Sequence, residues 1–140
     1  MKYKFLEHTA DTKFQAFGKT LEESFSNAAI AMFEVLLETK KVKKKITKKI
    51  KVEAQDKEGL LYKWLEELLF LLDTDFFVIH NVKNMEIKQK GKKYLLVAEV
   101  EGDTYKDEYG MHGSVKAVTY NEMFVKEEEG KATVQVVLDI

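Results

Sequence analysis

The sequence predicts an α+β domain, two helices packed on one face of a mainly antiparallel β-sheet. Three observations carry that prediction. Two segments, Leu21 to Leu36 and Leu60 to Leu72, repeat apolar residues at helical spacing, each behind a capping residue. From Phe76 onward the texture is β throughout, broken only by turn residues. The elements therefore run ββαβαββββ, which suits helices gathered on a sheet. With 140 residues and no repeat, linker or low-complexity stretch, residues 1–140 form one domain.

Tyr3 to Leu6 and Lys13 to Phe17 are the first two strands. Between them lies a polar plug, His8-Thr9-Ala10-Asp11, whose Thr and Asp side chains can bond backbone N–H groups and start a turn. Thr20-Leu21-Glu22-Glu23 is a capping box: Thr20 accepts from a first-turn N–H while Glu23 reaches back. Behind it, Leu21, Phe25, Ala28, Ala29, Met32, Phe33 and Leu36 form the stripe of an amphipathic helix of about five turns. That stripe is core and not a cofactor box.

Lys40 to Lys51 holds eight lysines. Ile46, Lys48, Ile50, Val52 and Ala54 share one face at period two, so a loop runs here into a strand. The lysines are either a track for phosphate or RNA, or the guard of an edge strand against edge-to-edge pairing. No aromatic interleaves them to stack bases, which favours the guarded edge. Asp56 then caps the second helix, with Glu58 in its first turn. The stripe Leu60, Leu61, Trp64, Leu65, Leu68, Leu69, Leu72 must lie on a sheet. Asp73-Thr74-Asp75 lacks the glycine and distal glutamate of an EF-hand and is a helix end. Phe76 to Ile87 and Tyr94 to Val100 flank a turn at Lys88 to Lys93; a loop covers 102–113. Ser114 to Val125 and Lys131 to Leu138 form a last hairpin around Glu127-Glu128-Glu129-Gly130.

Composition removes several function classes. Cysteine is absent, so there is no disulfide framework and no thiolate chemistry. A formal net charge of −1 gives no global argument for nucleic-acid binding, and no DNA partner is expected. No apolar run approaches the roughly 20 residues of a membrane span. Met1-Lys2-Tyr3-Lys4 does not open a signal peptide, so the cytoplasm is the expected location. Phosphate-binding glycine loops, G-x-S-x-G and H-E-x-x-H are all missing.

The candidate chemistry lies at the two ends. Val134 to Leu138 is apolar almost to the last residue, and the sequence closes on Asp139-Ile140, so a side-chain carboxylate and the α-carboxylate of Ile140 are one residue apart. If both ends share a sheet, Asp11 can join them, and three carboxylates in one place invite a hard cation. His8 can join such a site or cap a turn; His112 has a weaker claim; His80, in a strand, is structural. Lys116 is either a snorkelling surface lysine interrupting a strand or a cation beside the carboxylates.

Four blocks in order resemble the archease family: His8-Thr9-Ala10-Asp11 with Gly18 and the Thr20 to Glu23 helix start; Gly59 to Leu69; Lys116-Ala117-Val118-Thr119-Tyr120; and Leu138-Asp139-Ile140. The resemblance implies a compact α+β accessory protein that activates the GTP-dependent RNA ligase of tRNA splicing (the RtcB type). It implies promotion of that ligase's guanylylation and turnover, and broader nucleotide use. It also implies calcium, or another hard divalent cation, held by Asp11, Asp139 and Ile140. The loop at 102–113 and Ser114 and Asn121 depart from the family pattern, so the resemblance assigns no role to Asp107 or His112.

The reading is a non-enzymatic activator that docks on the ligase, with a carboxylate-bound cation and Lys116, and His8 nearby, helping to position the partner's nucleotide or metals. Indirect contact with tRNA through the ligase is part of that expectation. Two other classes stand behind it. A chaperone-like modulator of RNA-processing proteins needs a large exposed apolar patch. A metal-dependent phosphoesterase needs an open coordination position and a base, for which His8 is the ready candidate.

Overall fold

The computed structural model describes residues 1–7 and 11–140. Among these the elements run β1 (Tyr3–Leu6), β2 (Thr12–Gly18), α1 (Leu21–Glu34), β3 (Ile46–Ala54), α2 (Lys57–Asp75), β4 (Phe77–Lys90), β5 (Lys93–Thr104), β6 (Ala117–Glu128) and β7 (Lys131–Asp139). The order is the one predicted. Short 3-10 turns at Thr39–Lys41 and Asp107–Tyr109 punctuate the connections.

The class is α+β with two helices on antiparallel strands, as expected. The strands divide into two sheets, ordered β1-β2-β7-β6 and β3-β5-β4, with every pairing antiparallel. α1 meets β2 and β7 of the first sheet and β4 of the second; α2 meets β6 of the first and β3, β4 and β5 of the second. Each helix is therefore covered from two sides. α1 shows why: it buries Leu21, Phe25, Ala28 and Met32 along one line, and Ser24, Ala29, Ala31 and Phe33 on either side of it. At 3.6 residues per turn these positions cover more than half the circumference, too much for one sheet to bury.

Local chemistry sets the helix ends. Thr20 Oγ1 accepts from Glu23 N at 3.1 Å, and the Glu23 carboxylate accepts from Lys19 N at 3.2 Å. α1 is 14 residues long, shorter than the expected five turns, and ends before the buried Leu36 and Leu37. Asp56 Oδ1 accepts from Gly59 N at 2.6 Å to start α2, and Phe76 closes it in the left-handed region at φ 55°. Between the helices, fully buried Trp64 donates its indole N–H to the Phe25 carbonyl at 3.0 Å.

The outer strands are each blunted against edge pairing. β1 has four residues; β4 carries two register shifts; β6 bulges between Thr119 and Phe124, with Glu122 at φ 51°; β3 carries lysines. At Gly102 a side chain would run into the Val78 carbonyl and Ile79 Cα, so glycine is what lets β5 approach the irregular part of β4.

One buried polar network fastens the loops. Tyr109 donates its hydroxyl to Asp103 Oδ2 at 2.5 Å, and Thr104 N donates to Asp103 Oδ1 at 2.9 Å. Lys106 Nζ lies 3.4 Å from Oδ2, and Lys43 N donates to the Tyr109 hydroxyl at 3.2 Å. The Tyr109 hydrogen bond leads the groups that hold the Asp103 carboxyl below its ordinary value of 3.8, while burial, followed by Asp103 itself, pushes the Tyr109 phenol up. A depressed carboxyl contributes stability above its unfolded pKa and loses it as pH falls through the folded value. Tyr109→Phe is therefore expected to cost about 1.5–3 kcal/mol at pH 7. The gap to the parent should begin to narrow below about pH 4, where Asp103 of the unfolded chain protonates, and close as pH falls through the lower folded value. Urea denaturation at pH 7 and pH 3 checks this; a gap independent of pH would show that the hydrogen bond does not act through the ionised carboxylate.

Candidate metal centre

The site is built by strand register. β2 pairs with β7 from Gly18↔Ala132 to Thr12↔Leu138, so residue 11 and Asp139 each lie one residue past the last β2–β7 pair. On the other side of β7, Ala117 pairs with Asp139, and Lys116 N donates to the Asp139 carbonyl at 2.7 Å. Lys116 and Ile140 each lie one residue past this last pair. Directly opposed residues of an antiparallel pair have Cα atoms about 4.5–5.5 Å apart and project to the same side. Leu138 is fully buried toward the helices, and Asp139 follows it out into solvent with Ile140, which is 42% exposed. Asp11 is half-buried.

The register thus brings Asp11, Asp139, Ile140 and Lys116 to one end of the first sheet. Lys116 stands one residue before β6 begins, so it sits at the lip of the strand and does not interrupt it. His8 falls outside the described residues, with Thr9 and Ala10. Among the described residues no three His, Cys, Asp or Glu side chains gather as a metal cage. The expected ligands at this strand end, Asp11, Asp139 and Ile140, would offer hard oxygen anions of the kind calcium takes.

Two clefts flank this end. Asp11 opens onto one of about 950 Å³, lined also by Glu7, Lys13, Glu34, His112 and Glu122. Lys116 opens onto another of about 360 Å³, with Tyr62, Glu66, Phe70 and Asp73 of α2. The backbones of Asp11 and Lys116 are joined through β7, but their side chains line separate clefts.

The sequence reading missed Glu122 beside Asp11 and gave His112 only a weak claim to the site. Glu122 sits in the left-handed bulge of β6 and meets Lys13 at 3.2 Å. The same bulge folds over the outer face of β7: Gln135 donates to the Glu122 carbonyl at 2.7 Å and accepts from Gln15 at 3.0 Å. Its only sequence signal is the loss of alternation at Tyr120-Asn121-Glu122. His112 reaches the Asp11 cleft because its backbone N–H is held by the Leu36 carbonyl at 2.8 Å, a tertiary contact. His80 is structural, as expected: its Nδ1 donates to the Val42 carbonyl at 2.6 Å.

The family model described as "Archease protein family (MTH1598/TM1083)" matches residues 3–140. The chain belongs to the archease family. Within it, the chain is 41% identical to the protein archease of Methanosarcina mazei, over 99% of this chain and 96% of that one. It is 42% identical to the protein archease of Pyrobaculum neutrophilum, over 99% and 95%. The fold agrees with the solution structure of Methanobacterium thermoautotrophicum protein 1598, with a TM-score of 0.86 at 37% identity over 99% of both chains. The archease match thus takes in every candidate residue of the strand end. No helix among the described residues is long and apolar enough to cross a membrane.

Proposed function

We propose that this archease-family chain is a non-enzymatic, cytoplasmic activator of a GTP-dependent RNA ligase of the RtcB type, acting in tRNA splicing. It promotes guanylylation of the ligase, sustains its turnover and broadens its nucleotide use. The observation that supports this reading is the register of β2, β7 and β6, which brings residue 11 and Asp139 to the same end of the sheet and ties Lys116 to the Asp139 carbonyl at 2.7 Å.

Asp11, Asp139 and the carboxylate of Ile140 would hold calcium or another hard divalent cation; bound there, it supplies a positive charge that can offset phosphate oxygens. Asp139 ends β7 and Asp11 directly precedes β2, so the β2–β7 pairing brings the two aspartates to the same end of the sheet. Asp139 and Ile140 face solvent, which leaves the strand end open to a partner's surface. Lys116, tied through its N–H to the Asp139 carbonyl, adds a second cation and can meet an anion on the docked ligase. The contact to tRNA made through this end is indirect, by way of the ligase.

Ligation of a broken tRNA by an RtcB-type ligase, followed with and without the chain, tests the reading. The expected result is little change in a single turnover by pre-guanylylated ligase and a large gain under multiple turnover. An equal rate in both regimes with and without the chain would end the proposal. Purified chain alone turning over phosphate esters, with loss in Asp11→Asn, would place it among enzymes instead.

A further inference from the structure

We propose that the loop from Lys40 to Lys45 is a pre-formed platform for the phosphate backbone of RNA, binding it directly and without base specificity. The inference concerns a different surface from the strand end and does not depend on the ligase reading. Lysines that guard a sheet edge belong on the edge strand, and β3 is indeed the outer strand of its sheet. That role covers Lys48, Lys49 and Lys51. It leaves Lys40, Lys41, Lys43, Lys44 and Lys45 without a reason, because all five precede the strand, which begins at Ile46.

These five side chains are exposed, yet the backbone that carries them is fastened at each step. Thr39 is buried, and its N–H donates to Glu34 Oε2 at 3.0 Å. Val42 is buried, with its N–H on the Thr39 carbonyl at 3.1 Å and its carbonyl on His80 at 2.6 Å. Lys43 N donates to Tyr109, and Lys45 N donates to the Gly102 carbonyl at 2.9 Å. A loop held this way presents its cations at fixed spacing, so little ordering cost remains on binding.

The charge on this loop is under-compensated. Among the described residues its one ion pair is Lys41 with Glu38 at 3.5 Å. Lys106 is brought in beside Lys45, and their mutual contact is the first cause holding the Lys45 ammonium below its ordinary range. The nearest carboxylate, Asp103, is already taken by Tyr109, Thr104 and Lys106. Six cations in one region against three carboxylates, Glu34, Glu38 and the buried Asp103, suit a polyanion.

RNA fits better than an acidic protein face. Interface cores are depleted in lysine and enriched in aromatics and arginine, and this loop has neither of the latter. Without an aromatic to stack bases, the contact is to phosphates, so it is salt-sensitive and indifferent to sequence.

Fluorescence anisotropy of a labelled, folded tRNA transcript with the purified chain tests this, titrated from 50 to 200 mM KCl. The parent should bind at 50 mM with a log–log salt slope of about −3 to −4, from four or five phosphate contacts. Lys43→Gln/Lys44→Gln/Lys45→Gln should lose roughly tenfold or more at 50 mM, with the slope shallower by about 2–3. Lys90→Gln/Lys92→Gln/Lys93→Gln, the same charge change at the β4–β5 turn, should bind like the parent. Far-UV dichroism and melting confirm that both variants fold. Absence of binding by the parent, equal losses in both triple variants, or competition by poly-glutamate as strong as by unlabelled RNA would each overturn the inference.

Discussion

On the proposed function, Asp139→Asn is expected to abolish ligase stimulation while leaving the fold intact. Asparagine keeps the size of the side chain and removes the charge, so a hard cation loses one of the anions at the strand end. Even changes in groups that merely support metal ligands typically cost 10–100-fold in affinity or activity. The multiple-turnover gain of the ligase is therefore expected to fall at least tenfold, toward the rate of the ligase alone. Asp11→Asn should do the same, and the double variant should be no worse than either single one, because one site has already been emptied. Asp139 is exposed, so its loss should change stability by no more than about 0.5 kcal/mol. Asp73→Asn, on the neighbouring cleft with Lys116, serves as the charge-matched control and should stimulate normally. Stimulation retained by Asp139→Asn at parental level would remove the carboxylates from the mechanism.

The largest stability effect is expected at Trp64. It is fully buried, and its indole N–H is spent on the Phe25 carbonyl, so one side chain ties α2 to α1 in the layer that both sheets share. Trp64→Ala should cost about 3–5 kcal/mol, from lost burial and the cavity left behind. Against a total stability of about 5–15 kcal/mol, that brings the domain close to unfolding. Trp64→Phe fills most of the space but loses the indole's hydrogen bond to the Phe25 carbonyl, which keeps its helical donor, for about 0.5–1.5 kcal/mol. Urea melts read by far-UV dichroism measure both, since Trp64 is the sole tryptophan. A cost below 1 kcal/mol for Trp64→Ala would mean that the helix layer closes around the gap.

Local features were legible in the sequence because their physics is local. Thr20 with Glu23 and Asp56 with Gly59 each satisfy backbone donors within four residues, and each start appears where its capping residue stands. The division into two sheets was not legible. Ala28, Ala29 and Ala31 of α1 are all fully buried, but alanine suits either face of a helix and does not announce a second covered side. The β2–β7 pairing joins residues some 120 positions apart, as Gln15 with Gln135, and nothing short-range specifies it. Even so, the β2–β7 register that ends at Thr12 and Leu138 follows from burial alone. Phe14 and Ala16 must share the inner face with Val136 and Val134, and a one-residue slip would turn them outward. His112 stood only as a weak candidate in a polar connection, and its place in the Asp11 cleft, like that of Glu122 in its bulge, depends on tertiary docking that spacing does not reveal.

The account rests on opposite ends of the chain sharing one cation, and calorimetric titration of calcium into metal-free protein measures that directly. The expected result is one site per chain, absent in Asp11→Asn and in Asp139→Asn, and weakened when a Gly-Ser extension displaces the Ile140 carboxylate. Calcium should also raise the melting temperature of the parent and of neither aspartate variant, since a ligand that binds only the folded state stabilises it. Equal binding by parent and both variants, or no binding of calcium or any other hard divalent cation by the parent, would contradict the account.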